Sequence, residues 1–402
     1  MSEPKQIVIV GASLAGLQAA QTLRRASFEG SIVLIGDEPH FPYDRPPLSK
    51  QFLAGAWEEE KLRLRAAVNP SELGLDWMLG VAATGLDLDL RTVALGDGRT
   101  VTYDGLILAC GAHARSLADH PPGVFTLRGL DDARALRSAL DTGPARVCVI
   151  GAGFIGAEVA ATARERGLDV TMIEAAAAPL VRVLDAGAGL AIAELHRRHG
   201  VDVRLGVGVN EVQAGADGRV ERVLLADGSA VEADVVVVGI GVVPNTGWLE
   251  GSGVSIDNGV VCDSTCLAAP NVVACGDVAR WNNPRYGRLT RVEQWDNAVD
   301  QGAYVARRLL EEGGVDPEPF APVPWFWSDQ YDRKIQLAGV TGPNAEVVNG
   351  SLDEQRFVQL YADDSGRFVG ALAWNRPRQA IQARQLLEQE AGLDEARAAL
   401  GG

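Results

Sequence analysis

Residues Arg146–Gly167 read RVCVIGAGFIGAEVAATARERG. The apolar run Val147–Ile150 leads into Gly151-x-Gly153-x-x-Gly156, and an alanine-rich, helix-favouring segment follows. A second apolar run, Asp169–Glu174 (DVTMIE), ends on an acid. Strand, glycine turn, helix, strand and carboxylate in that order form a dinucleotide-binding fingerprint. Gly151 permits the tight turn, Gly153 lets backbone come close to a pyrophosphate, and Gly156 lets helix and strand pack closely. The helix start offers free N–H groups and partial positive charge to phosphate. Glu174 stands 23 residues after Gly151, close to the roughly 20 expected for a ribose-hydroxyl acceptor.

The pattern occurs twice. Residues 5–25, KQIVIVGASLAGLQAAQTLRR, repeat it with the turn Gly11-x-Ser13-Leu14-Ala15-Gly16, so serine stands at the middle glycine position. The next apolar run, Ser31–Ile35, reaches Asp37, which is the ribose-acceptor candidate of this copy, 26 residues after Gly11. Each copy continues into a hairpin signal, Gly96-Asp97-Gly98 in the first and Asp227-Gly228 in the second. Each then closes on an apolar strand that ends in small residues, Ala109–Ala112 and Gly239–Gly241. The expected fold class is α/β: two Rossmann-like nucleotide-binding domains followed by a small α+β C-terminal domain.

Length and composition set the frame. A chain of 402 residues has room for two or three domains, each with its own core. The net charge of −16 argues against nucleic acid as a partner. The longest apolar run, Val235–Val243, is too short to span a bilayer. A strand-like segment already begins at Gln6, leaving no room for a signal peptide, so a cytoplasmic protein without membrane attachment is expected. The five cysteines, 110, 148, 262, 266 and 275, form no CxxC or CxxxxC pair and read as structural. His196 and His199, in an arginine-flanked HRRH, read as a solvated helix face, and no metal site is expected.

Other segments complete the division. Phe41–Lys50 (FPYDRPPLSK) carries three prolines and reads as a stiff extended segment. Residues 58–65 are charged and read as a solvated face. Helical spacing is expected over Asp131–Leu140, Leu184–His199 and Ala298–Glu312, and a strand over Thr265–Asp277 that stops on Gly276-Asp277. Prolines 317, 319, 322 and 324 mark a linker. Residues 325–339 and 356–374 alternate like strands, and an arginine-rich helix follows Pro377. The expected domains are 1–112 with 245–322, then 113–244, then 323–402.

With both glycine turns, Asp37, PPLSK, Glu174 and the AxGD at 274–277 in place, the sequence resembles the FAD-dependent, NADH-using ferredoxin reductases of the glutathione-reductase fold. That group includes putidaredoxin reductase and the reductases of aromatic-ring dioxygenases. PYDRPPLSK and PWFWSDQ are the most specific stretches, and the likeness runs over essentially the whole chain. The resemblance implies that residues 1–112 and 245–322 bind FAD, 113–244 bind NADH, and 323–402 cover the flavin with Trp325 and Trp327. It implies FAD contacts from Gly11, Ser13, Leu14, Ala15, Gly16, Asp37, Lys50, Ala83, Arg128, Gly276, Asp277 and Trp295. It implies NADH contacts from Gly151, Gly153, Phe154, Ile155, Gly156, Glu158 and Glu174. Lys50 and Glu158 are the candidate catalytic residues. Positive charge at Lys50 would stabilise a reduced, anionic flavin, and Glu158 would keep the lysine placed. The acid Glu174, with no arginine directly beside it, favours NADH over NADPH.

Residues 41–53 hold no cysteine, so the electron pair has no dithiol to reach. The outlet is then single-electron transfer to an external carrier, and the resemblance implies a 2Fe–2S ferredoxin serving a haem monooxygenase or a Rieske oxygenase. Such ferredoxins are acidic, so docking would need a local basic patch. Arg307, Arg308, Arg333 and Lys334 are candidates, with Arg63 and Arg65 in addition. A rubredoxin or monodehydroascorbate acceptor shares every motif. A redox-responsive binding protein like apoptosis-inducing factor would instead call for long insertions or a targeting segment. Monomer or homodimer is expected.

Overall fold

The computed structural model describes residues 4–64, 69–311 and 317–402. They fall into two compact units: residues 4–44, 62–113 and 243–324 in the first, and 45–61, 114–242 and 325–402 in the second. Residues 45–61, which contain Lys50, group with the second unit.

The second unit is built on the quoted stretch. Arg146–Ile150 lies between Asp169–Glu174 and Val235–Val238, pairing with both in parallel. Both faces are covered, which is why these strands are continuous apolar runs without alternation. Asp202–Leu205 and Val124–Phe125 close the edges of a five-stranded sheet. The first unit repeats the plan. Gln6–Val10 pairs in parallel with Ser31–Gly36 and Gly105–Leu108, and Asp76–Leu79 and Val272–Ala274 flank them. Each copy also carries a three-stranded antiparallel excursion, at residues 83–102 and 209–232. The α/β class and the duplicated plan are those expected.

Three local readings change. The segment 265–277 is a hairpin rather than one strand: Leu267–Ala269 and Val272–Ala274 run antiparallel about Pro270 and Asn271, the latter at φ +61°. The proline-rich stretch is not extended throughout. Pro46–Ser49 forms a 3-10 turn, because proline's fixed φ suits the first position of a helical turn. The helix expected from Ala298 begins at Trp295 and runs to Leu310, and Glu312 lies outside the described residues.

In the second unit, the last segment forms a five-stranded antiparallel sheet. Trp325–Gln330 and Arg333–Gly339 are its hairpin, and Asn344–Ser351, Arg356–Ala362 and Phe368–Trp374 complete it. Phe326, Leu337 and Trp374 pack in one core with Ile192 and Leu195 of the Ala186–Arg198 helix. Asp185 begins that helix and ties it to the sheet. One carboxylate oxygen accepts from the Gly187 and Ala188 N–H groups, the other from Gln359 and Tyr361, both at 2.6 Å. Among the described residues no helix is long and apolar enough to cross a membrane.

Candidate functional site

The two glycine turns have nearly the same geometry. Gly11 and Gly151 take φ of +124° and +97°, open to glycine alone at low cost. A Cβ on Gly16 would stand 2.0 Å from the Gly11 carbonyl oxygen, and one on Gly156 would stand 2.0 Å from that of Gly151. The third glycine is therefore demanded by backbone packing in both copies. The middle position is not. Ser13 has an ordinary extended conformation, φ −126°, and a Cβ on Gly153 would meet only the Gly239 oxygen at 3.7 Å. Serine at 13 is thus compatible with the turn.

The helices that follow, Leu14–Arg25 and Phe154–Glu165, start with no side-chain cap and no acid in the first turn. The other α/β helices differ. Asp132 accepts from the Arg128 and Gly129 N–H groups, Asp185 caps its own helix, and Asp296 opens the helix from Trp295. These two starts carry neither a capping side chain nor a first-turn carboxylate to oppose an anion, so both fit a pyrophosphate. Ile155, 41% exposed, leaves an apolar side chain standing out at the second of them. Phe154 instead packs on Phe326, with ring centroids 4.4 Å apart.

The Glu174 carboxylate is fixed by backbone donors. It accepts from the Ala152 N–H at 2.8 Å, inside the glycine turn, and from the Ala176 N–H at 2.9 Å. Asp37 is exposed at the corresponding strand end and accepts from the Glu38 N–H. In the first unit, a Cβ on Gly276 would lie 3.2 Å from the Ala15 Cβ, and one on Gly302 would lie 2.5 Å from the Ala15 oxygen. The Gly276–Asp277 turn therefore sits against the start of the Leu14–Arg25 helix. Gln301 accepts from the Gly276 N–H, and Arg291 donates to the Asp277 carbonyl. Trp295 donates from its indole to Asp44 at 2.8 Å. Ala83 begins an excursion strand. Gly11, Ser13, Leu14, Ala15, Gly16, Asp37, Ala83, Gly276, Asp277 and Trp295 belong to the first unit, and Lys50, Arg128, Glu158 and Glu174 to the second.

Lys50 and Glu158 meet. The ammonium is 2.6 Å from Oε2, with the two side chains 13% and 4% exposed. Ser49 also donates to Oε2, at 2.5 Å, and Ser328 donates to Oε1 at 2.8 Å. The PPLSK turn is stapled to one face of the Phe154–Glu165 helix and its C-terminal cap at four-residue spacing. Glu158 takes Lys50 and Ser49, Thr162 donates to the Ser49 carbonyl, and Arg166 donates to the Leu53 carbonyl. A buried ion pair repays its desolvation only when its remaining hydrogen-bonding capacity is met, and here both carboxylate oxygens have donors.

Sequence reasoning missed the rest of this network and misplaced one member. His196 is fully buried, not solvated. Its Nε2 lies 3.0 Å from the Gln330 side-chain oxygen and its Nδ1 lies 3.1 Å from the Tyr331 hydroxyl, while Tyr331 stacks on His199. Burial pushes the imidazole pKa down to about 4. The signal was present: Ala188, Ile192, Leu195 and His196 share one face at helical spacing. Likewise Trp325–Gln330 alternates, placing polar Ser328 and Gln330 on the buried face beside Phe326.

The charged segment 58–62 is not simply solvated: Glu59 pairs with Arg134 and Glu58 with Arg137. Of the docking candidates, Arg307, Arg308 and Arg63 lie in the first unit and Arg333 and Lys334 in the second. Arg333 pairs with Asp332 and Lys334 with Asp329, and Arg65 lies outside the described residues. All five cysteines are free thiols. Burial pushes Cys110 up to about 11 and Cys148 and Cys262 up to about 12, with Cys266 and Cys275 also raised.

Comparison with known proteins finds two family matches along the chain. Residues 5–302 match the pyridine nucleotide-disulphide oxidoreductase family, and residues 325–400 match the reductase C-terminal family. Rhodocoxin reductase of Rhodococcus erythropolis is 41% identical over 399 residues, covering 98% of this chain and 92% of that protein. The ferredoxin–NAD(+) reductase component of the anthranilate 1,2-dioxygenase system of Burkholderia cepacia is 38% identical over 94% of this chain and 93% of its own. Among solved structures, the covalent putidaredoxin reductase–putidaredoxin complex matches with a TM-score of 0.91 and 34% identity, covering 99% of each chain. The chain thus belongs to the pyridine nucleotide-disulphide oxidoreductase family, with a reductase C-terminal domain behind the duplicated body.

Proposed function

We propose that this protein is an FAD-dependent NADH:ferredoxin reductase that passes single electrons to a 2Fe–2S ferredoxin feeding an oxygenase, either a haem monooxygenase or a Rieske dioxygenase. One observation carries the reading. The chain has two glycine turns, each opening a helix with no capping side chain and no first-turn acid, but no thiol pair beside Lys50, and its cysteines are held as thiols by burial. The relatives named as ferredoxin–NAD(+) reductase components support it, as does the neighbour solved together with putidaredoxin. A cytoplasmic location is part of the proposal.

FAD would be held by the first turn, Gly11–Gly16, with Asp37, Ala83, Arg128, Gly276, Asp277 and Trp295. NADH would be held by Gly151–Gly156 and Glu174. On this reading residues 1–112 and 245–322 serve FAD, 113–244 serve NADH, and 323–402 form the covering domain. Bound flavin supplies the conversion of one hydride donation into two single-electron deliveries. The chain's own part is binding and placement, because hydride transfer needs two rings held in contact rather than a protein acid. Lys50 brings a fixed positive charge, and Glu158 keeps that charge in one position. The anchored Glu174 carboxylate accepts from a ribose diol and repels a 2′-phosphate.

The test is cytochrome c reduction through an added 2Fe–2S ferredoxin, with NADH and NADPH side by side. NADH should drive it, and omission of the ferredoxin should abolish most of it. A colourless protein that takes up no FAD, or reduction indifferent to the ferredoxin, would overturn the assignment. In Lys50→Ala the protein should retain FAD while its reduction by NADH slows.

A further inference from the structure

We propose that His196, Gln330 and Ser328 are positioning residues: they form a one-way hydrogen-bond chain that ends on Glu158 and holds Lys50 in place for hydride transfer. The kinetic part rests on the ferredoxin reductase reading, while the direction of the chain does not.

The direction follows from one fixed charge. Oε2 of Glu158 faces an ammonium, which can only donate, and a serine hydroxyl at 2.5 Å. The group is therefore a carboxylate, and its Oε1 can only accept. Ser328 has one hydroxyl hydrogen, spent on Oε1 at 2.8 Å. Its oxygen, 3.1 Å from the Gln330 amide, must then accept, so the Gln330 NH2 faces Ser328 and the Gln330 oxygen faces His196. His196 must carry its hydrogen on Nε2, leaving Nδ1 to accept from the Tyr331 hydroxyl. His196, Ser328 and Gln330 are fully buried, so water does not substitute for any link. Chains of aligned donors polarise one another in such surroundings. The Gln330 amide interrupts any simple proton wire, which leaves orientation as the role of the chain.

The residues come from four separate stretches. Lys50 stands at the end of the 3-10 turn, Glu158 and His196 on two helices, and Ser328 and Gln330 on the first strand of the C-terminal sheet. The seating of that sheet therefore sets the position of Lys50.

Two measurements test this. In 15N-histidine-labelled holoenzyme, the His196 imidazole should be the Nε2–H tautomer. In Glu158→Gln the Lys50 side still requires an acceptor, so the new NH2 must face Ser328. Every link then reverses, and His196 should switch to Nδ1–H. An Nδ1–H tautomer in the wild type, or no switch in Glu158→Gln, overturns the chain. In stopped-flow reduction by NADH, His196→Leu should lower the limiting rate about tenfold with the NADH dissociation constant unchanged, as expected for the loss of one hydrogen bond in a charged network. His196→Gln, which keeps a donor at the Nε2 position, should stay within about twofold. Equal rates in all three proteins, or equal slowing in both variants, overturn the positioning role. If His196→Leu does not fold, the tautomer switch decides. Holoenzyme that NADH fails to reduce at all would sink the ferredoxin reductase reading instead, and the tautomers would still test the chain.

Discussion

Acidification should unload His196 in a measurable way. An imidazole ordinarily titrates near 6.5, and burial in the fold pushes this one down to about 4. The unfolded chain therefore binds a proton between those values that the folded chain refuses. With more protons on the unfolded side, stability rises with pH across that window. The stabilisation is fully present above pH 6.5 and is lost as pH falls toward 4. For one group with these two values the loss is about 2 kcal/mol between pH 7 and 5, and about 3 kcal/mol by pH 4. His196→Gln has no such proton, so comparing it with the wild type cancels the carboxylates common to both. Urea unfolding at pH 7, 6 and 5 should show the wild type losing about 2 kcal/mol more than the variant. The His196 imidazole resonance should stay flat from pH 8 to 5. A titration midpoint near 6.5, or parallel pH profiles for the two proteins, would refute the burial argument.

Other expectations concern the nucleotide turns and the thiols. Glu174→Arg should shift preference toward NADPH, since it removes the acceptor and adds a phosphate partner; an unchanged NADH-to-NADPH ratio in kcat/KM would show the ribose acceptor to be misassigned. Gly156→Ala places a Cβ 2.0 Å from the Gly151 oxygen, so NADH should no longer reduce a flavin that stays bound, whereas Gly16→Ala should lose the flavin itself. Absorbance at equal protein concentration separates the two outcomes. Ser13→Gly should change stability by less than about 1 kcal/mol, because Ser13 already has an ordinary φ. Ellman's reagent should find less than about one fast thiol in the native protein and all five after denaturation; several fast thiols would contradict the burial of these side chains.

How much of this was legible depends on how local each signal is. The glycine turns announce themselves because their demands are met within six residues: a positive φ at Gly11 or Gly151 and contact with a carbonyl five residues earlier at Gly16 or Gly156. The antiparallel excursions were equally readable from their Asp-Gly turns. The hairpin at 267–274 was hidden because Pro270 and Asn271 interrupt an otherwise unbroken apolar run. The Lys50–Glu158 contact spans 108 residues and was expected only through resemblance. His196 was misread because Arg197 and Arg198 beside it are exposed, and neighbours in sequence point to different sides of a helix. The Glu158, Thr162, Arg166 spacing also marks a binding face for the PPLSK segment, but nothing local tells which distant segment fills it.

The tether between the C-terminal sheet and the Ala186–Arg198 helix, through Asp185 at one end and His196 at the other, limits how this tail can be exchanged. A graft from a related reductase, made to alter carrier choice, would have to bring a serine and an amide spaced as Ser328 and Gln330 are. It would also need a phenol and an amide able to reach Asp185. A tail chosen for its outer surface alone would arrive without those four groups, and the host lysine would lose its footing although no residue around it had been altered.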